Sequence, residues 1–388
     1  MADIVNTHIT NIPGLSFECN CGKRHSINIK SIFIQKNAIS KIGDIVRQFP
    51  QGKIFLLADA NTYKVCGQKA EEILSSESAN FKKFVFQTTR LIIPDEASLG
   101  RIFIEIDPDT SLIAAVGSGV INDMARFLSY KLKIPYVIIA TAPSMDGYCS
   151  TVSPLIVDKF KITYDAVYPY AAIADIDIIK NAPLEMVQAG FGDILGKLTA
   201  LADWQLSNKL NNEYLCKTAF EIVLKATNKA ISNSQGILKR DEHSIVSIME
   251  CLMLSGIAMG LTGNSRPASG AEHHLAHYWE IDAIARGKEH ALHGNAVAVG
   301  AVVISSLYEL MKDNLPVGIN MPSAEEIIRL LKAAGSKYTP KDLGISRELF
   351  KESLLNAMKI RPRFTIFHLA CKIGLLEKYA ELLASRFY

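Results

Sequence analysis

Five of the chain's nine histidines, His273, His274, His277, His290 and His293, crowd into two neighbouring blocks, ASGAEHHLAHYWE and GKEHALHGNAV. They follow a glycine-flanked aspartate, Asp193, in AGFGDILGK. On a helix, His273 and His277 stand at i and i+4, so both imidazoles leave the same face. Imidazole is the commonest metal-binding side chain, and a carboxylate added to it suits a hard or borderline divalent cation. A single histidine here is most simply a core or surface residue. The local density is hard to explain by packing and points to a metal-dependent enzyme.

The elements that must position these groups fall into two halves. Apolar runs at 53–58, 83–86, 112–116 and 136–140 read as strands, separated by helical periodicity at 66–75, 99–106 and 121–132. Strand and helix in alternation, with continuously apolar strands, predict a Rossmann-like parallel sheet covered on both faces. Beyond Pro183 the pattern is helical, at 184–206, 213–232, 243–261, 271–285 and 296–311. The expected organisation is an α/β domain over 1–180 and an all-helical domain over 181–388.

Composition narrows the function classes. The 388 residues are 49% hydrophobic and 21% charged, as in an ordinary globular enzyme. A net charge of +3 and no basic block argue against nucleic acid as a partner. The N-terminal segment has no basic and apolar leader pattern, and no apolar run approaches the ~18 residues needed to span a bilayer. Seven cysteines, an odd number and mostly in apolar segments, suit a reduced cytoplasm rather than a disulfide framework.

Two loops offer ligand chemistry. In SLIAAVGSGVINDMARF, Gly117, Ser118 and Gly119 follow a strand and open a helix. Small residues there let a pyrophosphate approach free N–H groups and the positive end of the helix dipole, although such a turn also serves simply as a connection. Asp59, ending the strand of LLAD, either accepts the ribose hydroxyls of an adenosine, which would disfavour a 2′-phosphate, or caps the next helix. The loop TAPSMDGYCSTVS follows another strand. Its Thr141, Ser144 and Ser150 could bond a nucleotide and its Asp146 a substrate hydroxyl, or the loop is a solvated turn.

The blocks VGSGVINDMARF, TAPSMDGYCS, GFGDILGK, SRPASGAEHHLAHYW and ALHGNAVAVG together resemble the sn-glycerol-1-phosphate dehydrogenases, in particular the bacterial branch. That family sits among the iron-dependent alcohol dehydrogenases, glycerol dehydrogenases and dehydroquinate synthases, and the likeness runs from about residue 55 to 310. It implies a divalent metal, Zn²⁺ or Ni²⁺, on Asp193, His273 and His293, with His277 and Asp146 joining Asp193 at the substrate. It implies NAD, with NADP also admissible, against Gly119, Val120, Ile121, Asn122, Asp123, Thr141, Ala142, Pro143, Ser144, Ser150 and Asp59. A cytoplasmic homodimer is expected. His274 and His290 carry no role from the resemblance. Asn295 departs from the glycerol dehydrogenase pattern, where HGE stands in place of this HGN, but it is not a ligand position.

The implied reaction interconverts dihydroxyacetone phosphate and sn-glycerol 1-phosphate by hydride transfer at C2. Its phosphate needs a cationic pocket, for which Arg266 and Lys197 are the candidates. Lys197, one turn after Asp193, is also placed for a plain ion pair. Alternatives are a glycerol dehydrogenase of the same fold, a dehydroquinate synthase-like lyase, whose site needs more lysines and arginines, and a non-catalytic binder, which would lack a ligand. In CNCGKRH, Cys19, Cys21 and His25 supply only three donors at tight spacing, and a turn is the expectation there.

Overall fold

The computed structural model describes residues 4–87, 92–158 and 160–388. Its strands are β1 (Ser16–Glu18), β2 (Arg24–Ser26), β3 (Ser31–Gln35), β4 (Lys53–Asp59), β5 (Phe81–Phe86), β6 (Thr110–Gly117), β7 (Tyr136–Ala140), β8 (Val152–Val157), β9 (Phe160–Asp165) and β10 (Ala171–Asp175). Six of them form one wholly parallel sheet in the order β3-β10-β7-β6-β4-β5. The inner strands are buried on both faces, which is why they read as unbroken apolar runs. The antiparallel hairpins β1–β2 and β8–β9 stand outside the sheet.

The first helices, α1 (Lys41–Val46), α2 (Ala60–Thr62), α3 (Gln68–Ser76), α4 (Glu96–Glu105), α5 (Gly119–Leu132) and α6 (Ile176–Ile179), belong to the strand-bearing half. From β4 the chain moves outward to β5, whereas from β6 it moves the opposite way to β7. The carboxyl ends of β4 and β6 therefore flank a topological switch point, the place where such sheets bind ligands. Register pairs Ala58 with Val116, so Asp59 and Gly117 emerge side by side there.

After β10 no further strand occurs among the described residues. The second half consists of α7 (Leu184–Asn211), α8 (Lys217–Ser232), α9 (Glu242–Thr262), α10 (Ala271–Ala285), α11 (His293–Leu310), α12 (Ala324–Ala333), α13 (Arg347–Asn356), α14 (Ile366–Lys372) and α15 (Leu376–Phe387). The expected helix at 213–232 begins only at Lys217, because Cys216 is extended and its thiol caps the helix. The helix expected from 296 begins at His293, three residues earlier, which puts that imidazole on the first turn. One reading needs correction. The apolar helix α9 is long enough to cross a bilayer by composition, but its most apolar stretch is 83% buried among the protein's own elements.

Asp203 on α7 is the polar hub of the bundle. Fully buried, it accepts from the Ala271 N–H that opens α10 (2.7 Å), the Ile366 N–H that opens α14 (2.7 Å) and the Tyr308 hydroxyl of α11 (2.8 Å). Two helix starts, each with orphan N–H groups, are thereby satisfied by one carboxylate. Asp203→Ala strands both donors at about 1–3 kcal/mol apiece, so a loss of roughly 3 kcal/mol or more is expected in urea unfolding. A loss below about 1 kcal/mol would show that water replaces the carboxylate.

Candidate active site

Asp193 sits at the middle of α7, where glycines let other chain segments touch the helix. A Cβ on Gly192 would lie 2.4 Å from the Gly294 oxygen, and one on Gly294 would lie 1.8 Å from the Ala189 oxygen. No side chain fits between α7 and α11 at this crossing. The close approach places His293, the first residue of α11, against Asp193. From the other side α10 contributes His273 and His277, one turn apart as the spacing predicts. The three rings are mutually close, with centroids 5.2 Å apart for His273 and His293, 5.3 Å for His277 and His293, and 6.0 Å for His273 and His277.

A carboxylate oxygen of Asp193 and one nitrogen each of His273 and His293 all lie within 4.8 Å of one another. Glu272, itself buried and fixed by the Gly270 N–H and the Thr199 hydroxyl, faces His273 Nδ1 at 2.7 Å. That contact holds Nδ1 protonated and leaves the Nε2 lone pair, 3.6 Å from Asp193, free to coordinate. His293 Nδ1 is buried and has no hydrogen-bond partner among the described residues. Burial pushes the pKa values of His273, His277 and His293 well below the usual imidazole range, so all three are neutral donors.

The charges around them do not balance. Lys197 is completely buried and bridges Asp193 (2.5 Å) and Asp146 (2.6 Å) while donating to the Ala268 carbonyl (3.1 Å). Two carboxylates with one ammonium leave an excess negative charge beside three neutral imidazoles. This donor set fits a divalent cation. An overlapping group, His277, Glu280 and His293, also comes within 4.8 Å, its Glu280 paired with Lys161 (2.6 Å) as Asp193 is with Lys197.

A cleft of about 430 Å³ runs from these histidines to the Gly119 end of α5. Of the nucleotide candidates, Gly119, Val120, Asp123, Ser144 and Ser150 line it, as do Asp146, His273, His277 and His293. The remaining candidates stand back from it. Asp59 caps α2 through the Asn61 and Thr62 N–H groups, the capping alternative read in the sequence. Ile121 and Ala142 are core residues. The Thr141 N–H is spent on the Gly117 carbonyl. The Pro143 carbonyl packs where a Cβ on Gly190 would be, 1.8 Å away. Asn122 donates to the Gly147 carbonyl (3.1 Å), and Arg126, ion-paired with Asp123, donates to the same oxygen. These two side chains anchor the Asp146 loop. Burial raises the Asp123 carboxyl to about 6, with Arg126 opposing.

Both phosphate candidates require correction. Arg266 is held by Glu213 through Nε (2.7 Å) and Nη2 and donates to the Phe364 carbonyl (2.8 Å), away from the cleft. Lys197 lies behind the two carboxylates it neutralises. The cation in the cleft that sequence reading missed is Arg361, in IRPRF. Its Nη2 reaches Thr163 Oγ1 (3.1 Å) and His277 Nε2 (3.2 Å), and among the described residues no carboxylate ion-pairs with it. Lys161 and Thr163 on the β8–β9 hairpin were also missed, because nothing local marks a surface-like hairpin as the roof of a site. His274 is fully buried, with neither ring nitrogen bonded among the described residues, and His290 lines the cleft.

A family model described as iron-containing alcohol dehydrogenase matches residues 33–183. The glycerol-1-phosphate dehydrogenase [NAD(P)+] of Halalkalibacterium halodurans is 35% identical, the match covering 90% of this chain and 94% of that protein. The enzyme of the same name from Pyrococcus horikoshii is 32% identical, over 91% and 95%. Among solved structures, a glycerol dehydrogenase from Schizosaccharomyces pombe superposes with a TM-score of 0.65 at 18% identity, over 92% and 91%. A sulfoacetaldehyde reductase from Bifidobacterium kashiwanohense, in complex with NAD+, gives a TM-score of 0.68 at 15% identity, over 93% and 98%. Those two structures support the fold, and the identity maintained along nearly the whole length carries the closer relationship: the chain belongs to the glycerol-1-phosphate dehydrogenase family.

Proposed function

We propose that this enzyme interconverts dihydroxyacetone phosphate and sn-glycerol 1-phosphate with NAD(H) or NADP(H), using a Zn²⁺ or Ni²⁺ ion held by Asp193, His273 and His293. Three protein donors leave coordination positions open, as in catalytic rather than structural sites. When bound, the ion supplies a Lewis acid for the C2 oxygen and the nicotinamide supplies or accepts the hydride.

The side chains do the rest. The N-terminus of α5 offers uncapped N–H groups of the Gly119 turn to the cofactor pyrophosphate, and Ser144 and Ser150 line the same path. Asp59 keeps one carboxylate oxygen beyond its capping contacts, which is the atom available to a ribose. Asp146, steadied by Lys197 and the Ser255 hydroxyl (3.2 Å), accepts from a substrate hydroxyl. His277, neutral and facing the cleft, holds and passes the proton of the C2 hydroxyl.

The observation that carries the phosphorylated substrate is Arg361. A half-buried guanidinium beside the histidines, with no carboxylate within ion-pair distance among the described residues, is an incomplete charge arrangement that a phosphate dianion completes. An unphosphorylated polyol would leave it unpaired, which disfavours the glycerol dehydrogenase alternative.

The direct test is NADH oxidation with dihydroxyacetone phosphate and dihydroxyacetone side by side, on metal-loaded enzyme. Turnover of the phosphorylated ketone alone, lost on chelation, is expected. Preference for dihydroxyacetone would overturn the substrate assignment. Arg361→Ala should raise KM for the phosphorylated ketone at least tenfold with a smaller change in kcat, and an unchanged KM would place the phosphate elsewhere. Gly294→Ala should cost most of the bound metal, measured by elemental analysis on folded protein, because the added methyl pushes His293 away from Asp193. Full metal content in that variant would show that α7 and α11 can part without moving the ligands.

A further inference from the structure

The N-terminal hairpin carries Cys19 and Cys21 at its turn and His25 on β2. Sequence alone leaves this group one donor short. Folding supplies the missing donor from far along the chain, since Cys216, at the start of α8, meets all three. Its Sγ is 3.8 Å from Cys19 Sγ and 3.5 Å from His25 Nε2, and Cys21 Sγ is 3.2 Å from the same nitrogen. The four donor atoms lie within 4.8 Å of one another, and all four residues are buried or partly buried. Around a tetrahedral zinc, with bonds of about 2.3 Å to sulfur and 2.0–2.1 Å to nitrogen, donor atoms stand about 3.8 Å apart for two sulfurs and about 3.5 Å for sulfur and nitrogen. Two of these three separations match such a tetrahedron, the Cys21–His25 edge is contracted to 3.2 Å, and the remaining edges lie within 4.8 Å.

We propose that Cys19, Cys21, His25 and Cys216 bind a structural zinc ion, separate from the centre at Asp193. Soft thiolates in a closed tetrahedron select zinc over the hard cations. No coordination position is left open for substrate, so the role is to fasten rather than to catalyse. The surroundings suit thiolates. Cys216 accepts from the Ala219 N–H (3.5 Å) at the positive end of α8, the Tyr214 hydroxyl donates to Cys21 (3.2 Å), and Thr218 Oγ1 lies 3.3 Å from Cys19. Gly22, at φ +82°, makes the turn that folds Cys21 back over His25. Phe17, Leu215 and Phe220 supply the apolar walls. The ion would staple a two-stranded ribbon, too small to be stable alone, onto the helical half of the molecule.

The test is Co²⁺ loading of freshly reduced, metal-stripped full-length protein. Two equivalents should bind, with strong near-ultraviolet thiolate-to-cobalt charge-transfer bands that an Asp-His-His centre cannot produce. The double variant Asp193→Asn/His273→Ala should keep those bands with one equivalent. Cys19→Ser/Cys21→Ser should lose the bands and keep one equivalent. If the cysteine variant does not fold, the wild-type spectrum and the Asp193/His273 variant still decide the matter. Reduced wild-type protein that binds a single equivalent without charge-transfer bands would overturn the proposal. So would a Cys19–Cys216 disulfide, found by mass spectrometry, that persists after metal loading.

Discussion

The buried ammonium of Lys197 is the interaction around which the catalytic half of the structure is arranged. It joins Asp193 of the helical half to Asp146 of a loop that leaves the parallel sheet. Without it, two carboxylates would face each other in a dry space, opposing the contact that the Asp146 N–H makes with Asp193 (3.0 Å). Burying an ammonium costs several kcal/mol, repaid only by close and complete pairing. Here the pairing is close, and the Ala268 carbonyl takes a further proton. The two carboxylates outnumber this ammonium beside the neutral histidines, and the proposed cation site rests on that.

Close backbone approach is the second constraint. The glycines of GFGDILGK and ALHGNAV allow α7 and α11 to touch along their backbones, which no larger residue would permit. The same closeness delivers a carboxylate and an imidazole from segments a hundred residues apart to one point. Precision here comes from rigid helices rather than from loops, and catalytic ligands require such support. The loop bearing Asp146 is held from the opposite side by Asn122 and Arg126, both on α5, whose N-terminus lines the same cleft.

Much of this was legible before any coordinates. The apolar strands 136–140 and 112–116 could be read because a doubly covered parallel sheet demands continuous hydrophobicity, and β7 appears at those limits. The edge strand β3 and the inner strand β10 beside it went unread, although β10 is as short and as fully buried as β7. Asp193, His273, His277 and His293 were visible as residue types at telling spacings. Arg361 was not, because an arginine in a proline-flanked turn is an ordinary surface residue until its surroundings are known.

The sequence by itself determined the order of elements, the change from strands to helices, and the identity of the donors that local spacing or family likeness could mark. Tertiary structure alone decided which charges are already spent. Arg266 turned out to be satisfied by Glu213 and Lys197 by two aspartates, whereas Arg361 has no carboxylate partner among the described residues, and this moved the proposed phosphate contact to Arg361. It alone brought Cys216 to the hairpin of Cys19, Cys21 and His25. The physical reason is common to both cases. Helix and strand periodicity are encoded within a few residues, whereas charge pairing and metal geometry depend on distances between segments that only the packed chain sets.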